Sequence, residues 1–279
     1  MKDLLSNIIR YSIITHNIKK WEYFLNKNQW DAFCQFRSAF KQKILEWNEL
    51  VPALPDLQKK AAELAKTPAY PFENPIVYNT ALDKINAEDD IKLIVIGDNP
   101  GKDEQLTKNQ RYLCGQAGKL GEGFFKKHPE LEIDFRRNVI ILNKTPVHSA
   151  KTLQLKKIIE LGGKPVASLI LESQRWMAEE TAKLHQRLEN TELWLVGYSE
   201  LKQGHFFEPY RHAFKAAYTN APQQWQKVYV YQHFSMNRFS IDLKDFSKQN
   251  PTLTLKEQLS ELGLRHKNEI FAPSLIYLQ

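Results

Sequence analysis

Apolar residues in the first quarter of the chain follow a helical period. One stripe recurs at three- and four-residue spacing, at Phe33, Phe36, Phe40, Ile44 and Trp47. This spacing predicts a helix with one aromatic face. A second helix is predicted downstream with Asp56 as its N-cap, and three prolines between residues 68 and 75 then exclude regular helix. We therefore predict a helical N-terminal extension over residues 1–70 and a separate domain over residues 71–279.

The second part of the chain contains four short apolar runs, at residues 92–97, 138–143, 192–198 and 227–233. Each predicts a buried strand. Amphipathic stretches lie between them, including 152–161, which two glycines close, and 173–188; a last helix is predicted at 255–262, ended by Gly263. Alternating strands and helices favour a three-layer αβα fold around a central, mostly parallel four-stranded sheet.

Composition narrows the class of protein. The 279 residues include 39 lysines and arginines against 32 acidic residues, a net charge of +7, which favours a polyanionic partner, although acidic small molecules also fit. Cys34 and Cys114 stand far apart, which argues against a disulfide framework, a cysteine zinc site and a four-cysteine iron–sulfur cluster. No export or membrane-spanning signal is recognisable. We expect a cytoplasmic monomer without a metal or other cofactor.

Polar residues follow three of the four predicted strands. Asp98 and Asn99 lie in a GDNPG turn after the first strand, Asn143 ends the second, and His233 ends the fourth. Each feature alone is typical of an ordinary strand-ending turn. However, the carboxyl ends of parallel strands meet at one edge of a sheet, where ligands collect. The sequence Gly118–Lys119 does not form a phosphate-binding loop, because the glycine and the hydroxyl residue that such a loop requires are missing.

Taken in order, these segments resemble the motifs of the uracil-DNA glycosylase superfamily. The turn 97–101 is similar to the GMNPG and GINPG of its single-strand-selective and mismatch-specific branches, and residues 112–118, Y-x-x-G-x-A-G, to the F-V-G-x-A-G of its iron–sulfur branch. Residues 141–143 resemble the LLN strand, 233–235 the H-P-S loop, and 77–79 the VYNP of the single-strand-selective branch. The resemblance covers about residues 75–245.

The chain departs from the family at several points. Phe234 replaces the usual proline, Arg111 replaces a small residue before the aromatic, and the cysteines of the iron–sulfur branch are absent. The N-terminal extension and the last residues of the chain match no motif of the family. The resemblance therefore depends on the order and strand-end placement of short motifs.

The resemblance implies a monofunctional DNA glycosylase that flips a uracil or a related deaminated base out of DNA and hydrolyses its N-glycosidic bond. By the resemblance, Tyr112 stacks on the base, Asn143 hydrogen-bonds its Watson–Crick edge, and His233 donates to the negative charge that develops on the base carbonyl. Asn99 positions the attacking water. Asp98 supports the cationic sugar or acts as a base.

Further roles follow from the same resemblance. Backbone amides of the turn from Gly97 to Gly101 hold a base carbonyl, and Gly101 replaces a tyrosine of the most uracil-strict branch, which implies a looser pocket. After His233, the resemblance gives Asn237 the role of filling the gap left by the flipped base. The other DNA-binding candidates lie in the same loop or on a basic rim: Ser235, Met236, Arg238, Lys102, Lys108, Lys144 and Lys151.

Two other classes of protein remain open. The chain is a catalytically silent, DNA-binding relative if Phe234 displaces the loop that carries His233. It is an α/β hydrolase of small nucleotides if the glycines near Tyr112 hold phosphate.

Overall fold

The computed structural model describes residues 25–272. Four strands form one sheet: β1 (Leu93–Gly97), β2 (Val139–Asn143), β3 (Glu192–Val196) and β4 (Val228–Tyr231). They lie in the order β2-β1-β3-β4, and all three neighbouring pairs are parallel. Every residue of β1 and β2 is buried, as expected for a parallel sheet covered on both faces. The predicted three-layer α/β fold is confirmed.

Eight helices flank the sheet in the described part of the chain: α1 (Lys27–Leu50), α2 (Leu54–Leu64), α3 (Gln116–Lys127), α4 (Gln154–Arg187), α5 (Glu208–Ala217), α6 (Pro222–Gln226), α7 (Arg238–Gln249) and α8 (Leu255–Phe271). Short 3₁₀ turns form at Thr80–Lys84, Pro129–Leu131, Tyr198–Leu201 and Ser235–Asn237. None of the helices within residues 25–272 has the length and apolar content needed to cross a bilayer.

The aromatic stripe of α1 packs on α4. Trp176 of α4 stacks on Phe36 and Phe40, with ring centroids 6.2 and 5.7 Å apart, and meets Trp47 edge-on. The three α1 rings belong to the same buried apolar cluster as the strands, and Trp176 packs against it, so the described part of the N-terminal extension shares the core of the α/β domain. Residues 1–24 of the predicted extension lie outside the described residues.

Two predicted helix ends are wrong. Asp56 is not the N-cap of α2: the helix begins at Leu54, and Asp56 lies inside its first turn, where a carboxylate interacts favourably with the helix dipole. Gly263 does not end α8, which continues to Phe271. A Cβ at Gly263 would lie 2.7 Å from Cζ and from the hydroxyl oxygen of Tyr231. Here the glycine permits close packing of the helix on β4 instead of terminating the helix.

The predicted break in α4 occurs, but it is a kink. Gly163 has φ 64° and ψ −150°, which interrupts the helical backbone, and only glycine adopts this conformation without strain. The helix resumes well before residue 173, where the sequence predicted its second part. Pro165 follows the kink closely, in the first turn of the resumed helix, where a missing N–H group costs nothing.

We expect the fold to lose stability in mild acid because of His185. The side chain is fully buried, with Nδ1 2.6 Å from the Tyr218 hydroxyl and Nε2 3.1 Å from the Thr191 carbonyl. Burial lowers the pKa of His185 to about 4, so the unfolded chain binds the proton first as pH falls below about 6.5. The His185 contribution to stability is therefore present above pH 6.5 and decreases toward pH 4, by about 3 kcal/mol in all.

The measurement is the free energy of unfolding in denaturant between pH 7.5 and 4.5. His185→Gln should flatten the slope below pH 6.5, and His205→Gln, at an exposed position, should keep the wild-type slope. Parallel curves for wild type and His185→Gln would contradict this assignment.

Candidate functional site

A cleft of about 700 Å³ lies at the carboxyl edge of the sheet. It is lined by ten of the predicted residues: Asp98, Asn99, Gly101, Lys102, Asn143, Lys151, His233, Ser235, Met236 and Arg238. The structure therefore brings together the polar ends of β1, β2 and β4. Another cavity, of about 630 Å³, opens where β1 and β3 begin, and the predicted site residues do not line it.

Lys144 is not on the rim of the cleft, contrary to the prediction. Its side chain is fully buried, and its ammonium donates to Asp98 Oδ1 at 2.6 Å, to the Val196 carbonyl at 2.6 Å and to the Gly97 carbonyl at 3.3 Å. All three N–H donors are thus used inside the protein. Burial lowers the pKa of Lys144, and the Asp98 carboxylate counteracts this. The lysine cannot contact a DNA phosphate and instead joins the ends of three strands.

Asn99 is held by hydrogen bonds to Ser149 and Thr152, which line the same cleft. Its Nδ2 donates to the Ser149 carbonyl at 3.1 Å and hydroxyl at 2.9 Å, and its Oδ1 accepts from the Thr152 hydroxyl at 2.9 Å. The buried His148 fixes the same turn through Nδ1, which lies 2.8 Å from the Pro100 carbonyl. The Asn99 amide is therefore rigid, and one lone pair of Oδ1 remains for a ligand or a water.

His233 has a defined tautomer. The backbone N–H of Ser235 donates to His233 Nδ1 at 3.1 Å, and the Ser235 hydroxyl lies 2.7 Å from the same nitrogen. Because Nδ1 accepts a hydrogen bond, the ring proton of the neutral imidazole is on Nε2. Burial lowers the pKa of His233, while Asp98 raises it and Lys144 lowers it. At neutral pH His233 is thus a neutral donor through Nε2.

Gly97 does not line the cleft, although it was predicted to bind the base. It is buried opposite Asn143 in the β1–β2 register. A Cβ at Gly97 would lie 2.5 Å from Asn143 Oδ1, closer than van der Waals contact. Glycine at this position therefore leaves room for the Asn143 side chain, which does line the cleft. Its role in base binding is indirect.

Tyr112 is placed away from the cleft, so the predicted stacking role is wrong. The ring is fully buried, and its hydroxyl donates to the Val77 carbonyl at 2.5 Å. The cleft is lined instead by the next residue, Leu113. Counting back two residues from Gly115, as F-V-G requires, also gives Leu113. Gly118 permits close packing of α3 on this segment, because a Cβ there would overlap the Leu113 carbonyl.

The loop after His233 presents Met236 to solvent. Met236 is 74% exposed and lines the cleft, whereas Asn237, the residue predicted to fill the DNA gap, does not. Both have a left-handed backbone, with φ of 53° and 55°, which is uncommon for residues with a Cβ. Phe234 anchors the loop in the core, with its ring 5.0 Å from Phe239. The bulky Phe234 therefore does not displace His233 from the cleft.

The structure adds cleft residues that sequence reasoning missed. They are Asp103, Glu104, Leu113, Gly115, Gln116, Ala117, Ser149, Ala150, Thr152, Gly197, Ser199, Glu200 and Gln232. Glu104 is almost completely buried, and burial raises its pKa to about 8. It follows the GDNPG turn by three residues in an irregular segment, where no periodicity indicates which side chains are buried. Its proximity to the turn is the only signal in the sequence.

Comparison with known proteins gives no relative for this chain. No protein-family model, no curated protein and no solved structure matches it.

We expect Lys144 to be essential for stability and Lys102 to be dispensable. Lys144→Met leaves the Asp98 carboxylate without its partner, and breaking such a pair costs about 3 kcal/mol of unfolding free energy. The matched change Lys102→Met, at an exposed cleft residue, should stay within about 0.5 kcal/mol of wild type. Denaturant unfolding measures both.

A double variant tests the cause. Adding Asp98→Asn to Lys144→Met removes the isolated charge and should recover part of the lost stability. Equal stability of the Lys144→Met and Lys102→Met proteins would refute the role of the ion pair.

Proposed function

We propose that the protein is a DNA glycosylase that hydrolyses the N-glycosidic bond of uracil or a related deaminated base. The observation that carries the proposal is the meeting of Asn99, Asn143 and His233 in one cleft at the carboxyl edge of the sheet. These residues come from three strand ends far apart in sequence. The roles that the resemblance implies require these three side chains to face one cleft. Unrelated turn residues would have no reason to lie together in this way.

The leaving base needs a donor. As the glycosidic bond breaks, negative charge develops on a base carbonyl, and a fixed donor in a water-poor site stabilises it. His233 suits this role because its Nε2 carries the proton and its ring is held by Ser235. A neutral imidazole donates without leaving a cation in the ground state. His233 thus stabilises the departing base anion, and the base later takes its proton from solvent.

The sugar side needs water and negative charge. The free lone pair of Asn99 Oδ1 accepts from the attacking water, since Thr152 occupies the other position. Asp98 contributes a carboxylate at the cleft, but its Oδ1 is bound to Lys144. We therefore give Asp98 an electrostatic role toward the cationic sugar and assign no proton transfer to it; the attacking water releases its proton to solvent after the C1′–O bond has formed.

Base stacking and DNA contact use residues around the cleft opening. Leu113 supplies an apolar contact for the base face in place of an aromatic ring. Met236 is the exposed apolar side chain suited to fill the gap left by a flipped base. Lys102, Lys151 and Arg238 line the cleft and are exposed, which suits them to phosphate contacts that weaken with salt.

The test is base release with enzyme in excess over a uracil-containing oligonucleotide. Wild type should leave an abasic site that alkali cleaves, without itself cutting the strand. His233→Ala should lower the single-turnover rate about 100-fold, and Asn99→Ala should lower it on every base alike. His205→Ala, at an exposed position outside the cleft, is the control and should match wild type.

The other candidate functions predict different results. A catalytically silent relative binds the oligonucleotide but releases no base. A hydrolase of small nucleotides acts on free nucleotides in preference to oligonucleotides. Either result would replace the proposed activity, and hypoxanthine, xanthine and mismatched thymine oligonucleotides, single- and double-stranded, define the base range.

Gly101 leaves open space where a base edge enters. No described atom lies within 4 Å of a Cβ built at Gly101, and its φ is outside the left-handed region. We therefore predict that Gly101→Ala keeps the wild-type ratio of activity on 5-substituted uracil to activity on uracil. Gly101→Tyr should lower that ratio about tenfold, because its ring fills the space beside the C5 edge. The ratio of kcat/KM values measures this, and an unchanged ratio in Gly101→Tyr would show that the position does not gate the cleft.

A further inference from the structure

Glu104 connects three segments that build the cleft. Its side chain is 7% exposed and lines the cleft. The carboxylate interacts with the backbone of Gly101 in the first turn, with the backbone of Leu113 in the next segment, and with the Asn143 side chain at the end of β2. Asp98, the carboxylate on the preceding turn, is bound to Lys144 instead.

Hydrogen bonding between Glu104 and Asn143 is incomplete. Glu104 Oε2 and Asn143 Nδ2 are both buried, and neither has a hydrogen-bond partner of ordinary geometry within residues 25–272. An unsatisfied buried polar atom costs about 1–3 kcal/mol. The two atoms are complementary, because a carboxylate oxygen accepts and an amide nitrogen donates. A ligand or a change in the ionisation of Glu104 that gives both atoms a hydrogen bond would therefore be favourable.

The ionisation state of Glu104 decides whether its carboxyl group can donate a hydrogen bond to Asn143 or only accept one. The pKa of Glu104 is raised to about 8, chiefly by burial and also by repulsion from Asp103, while the Gly101 and Leu113 backbone and the Asn143 side chain lower it. Tyr112 and Cys114 face Glu104 from the neighbouring segment. Ionised Glu104 only accepts, so it binds Asn143 Nδ2. Protonated Glu104 also donates, so it can bind Asn143 Oδ1 instead.

We infer that Glu104 is a positioning residue that orients the Asn143 amide, so that Oδ1 faces the cleft and accepts a ring N–H of the bound base. This inference rests on the proposed function. It also names the substrate class. Deamination converts the ring-nitrogen acceptor of cytosine or adenine into the N–H donor of uracil or hypoxanthine. An acceptor held at this position therefore favours deaminated bases over their parent bases.

The orientation of the Asn143 amide should depend on pH. Ionised Glu104 holds Nδ2, which leaves Oδ1 for the base, so the KM for uracil-containing DNA should fall about tenfold as pH rises from 6.5 to 9.5. His233 stays neutral over this range, because burial lowers its pKa. The kcat should change little, since the orientation affects base binding and leaves the water and the leaving-group donor in place.

Two variants distinguish positioning from a general structural role. Glu104→Gln keeps the shape but cannot ionise, so its KM should stay high and independent of pH. Asp103→Asn removes the repulsion that raises the pKa of Glu104, so the midpoint of the KM profile should move to lower pH. A Glu104→Gln profile that matches wild type, or an Asp103→Asn midpoint that does not move, would overturn the inference.

A second measurement is independent of activity. In protein labelled with ¹⁵N-asparagine, the Asn143 side-chain amide signal should titrate near pH 8 in wild type and shift its midpoint in Asp103→Asn. If wild type releases no base but this signal titrates, the coupling stands and the proposed function fails. If the Asn143 signal does not titrate, Glu104 does not position Asn143, whether or not the protein releases a base.

Discussion

The buried ion pair between Lys144 and Asp98 is the interaction on which the arrangement of the cleft depends. Three parallel strands end side by side, and the carbonyls of Gly97 and Val196 at the ends of β1 and β3 both accept from the buried Lys144 ammonium. Lys144 supplies three donors and receives Asp98, Val196 and Gly97 as partners. A lone buried ammonium would be very unfavourable. Because all three of its donors have partners, the Lys144 ammonium connects the turn after β1 to the ends of β2 and β3.

This connector sets the positions of the side chains that face the cleft. Lys144 follows Asn143 directly, so the turn that buries the lysine also points the asparagine toward the cleft. Asp98 precedes Asn99 in the same way and fixes where the GDNPG turn leaves the sheet. The loop that carries His233 is attached through β4, because the Gly197 N–H donates to the Tyr231 carbonyl at 3.0 Å. Residues distant in sequence are thereby held at fixed separations, as a preorganised site requires.

Sequence patterns predicted the regular part of this structure well. Apolar runs without alternation identified the four strands, and their alternation with helices gave a parallel sheet whose carboxyl edge collects Asn99, Asn143 and His233. The irregular segments were less predictable, because burial there depends on tertiary contacts. Lys144 was placed on the surface by its charge, and Tyr112 was placed in the site by its aromatic ring. Both are buried, and the carboxylate of Glu104 was missed for the same reason.

In the proposed reaction, water attacks the sugar while His233 supports the departing base. A single-turnover reaction on a uracil-containing oligonucleotide with borohydride present, followed by mass spectrometry of protein and DNA, tests this reaction. We predict free uracil, an intact abasic strand and no protein–DNA adduct, because water and not a protein amine attacks the sugar. Free nucleotide, a cut strand, a protein–DNA adduct trapped by borohydride, or no released base at enzyme excess would contradict the proposal.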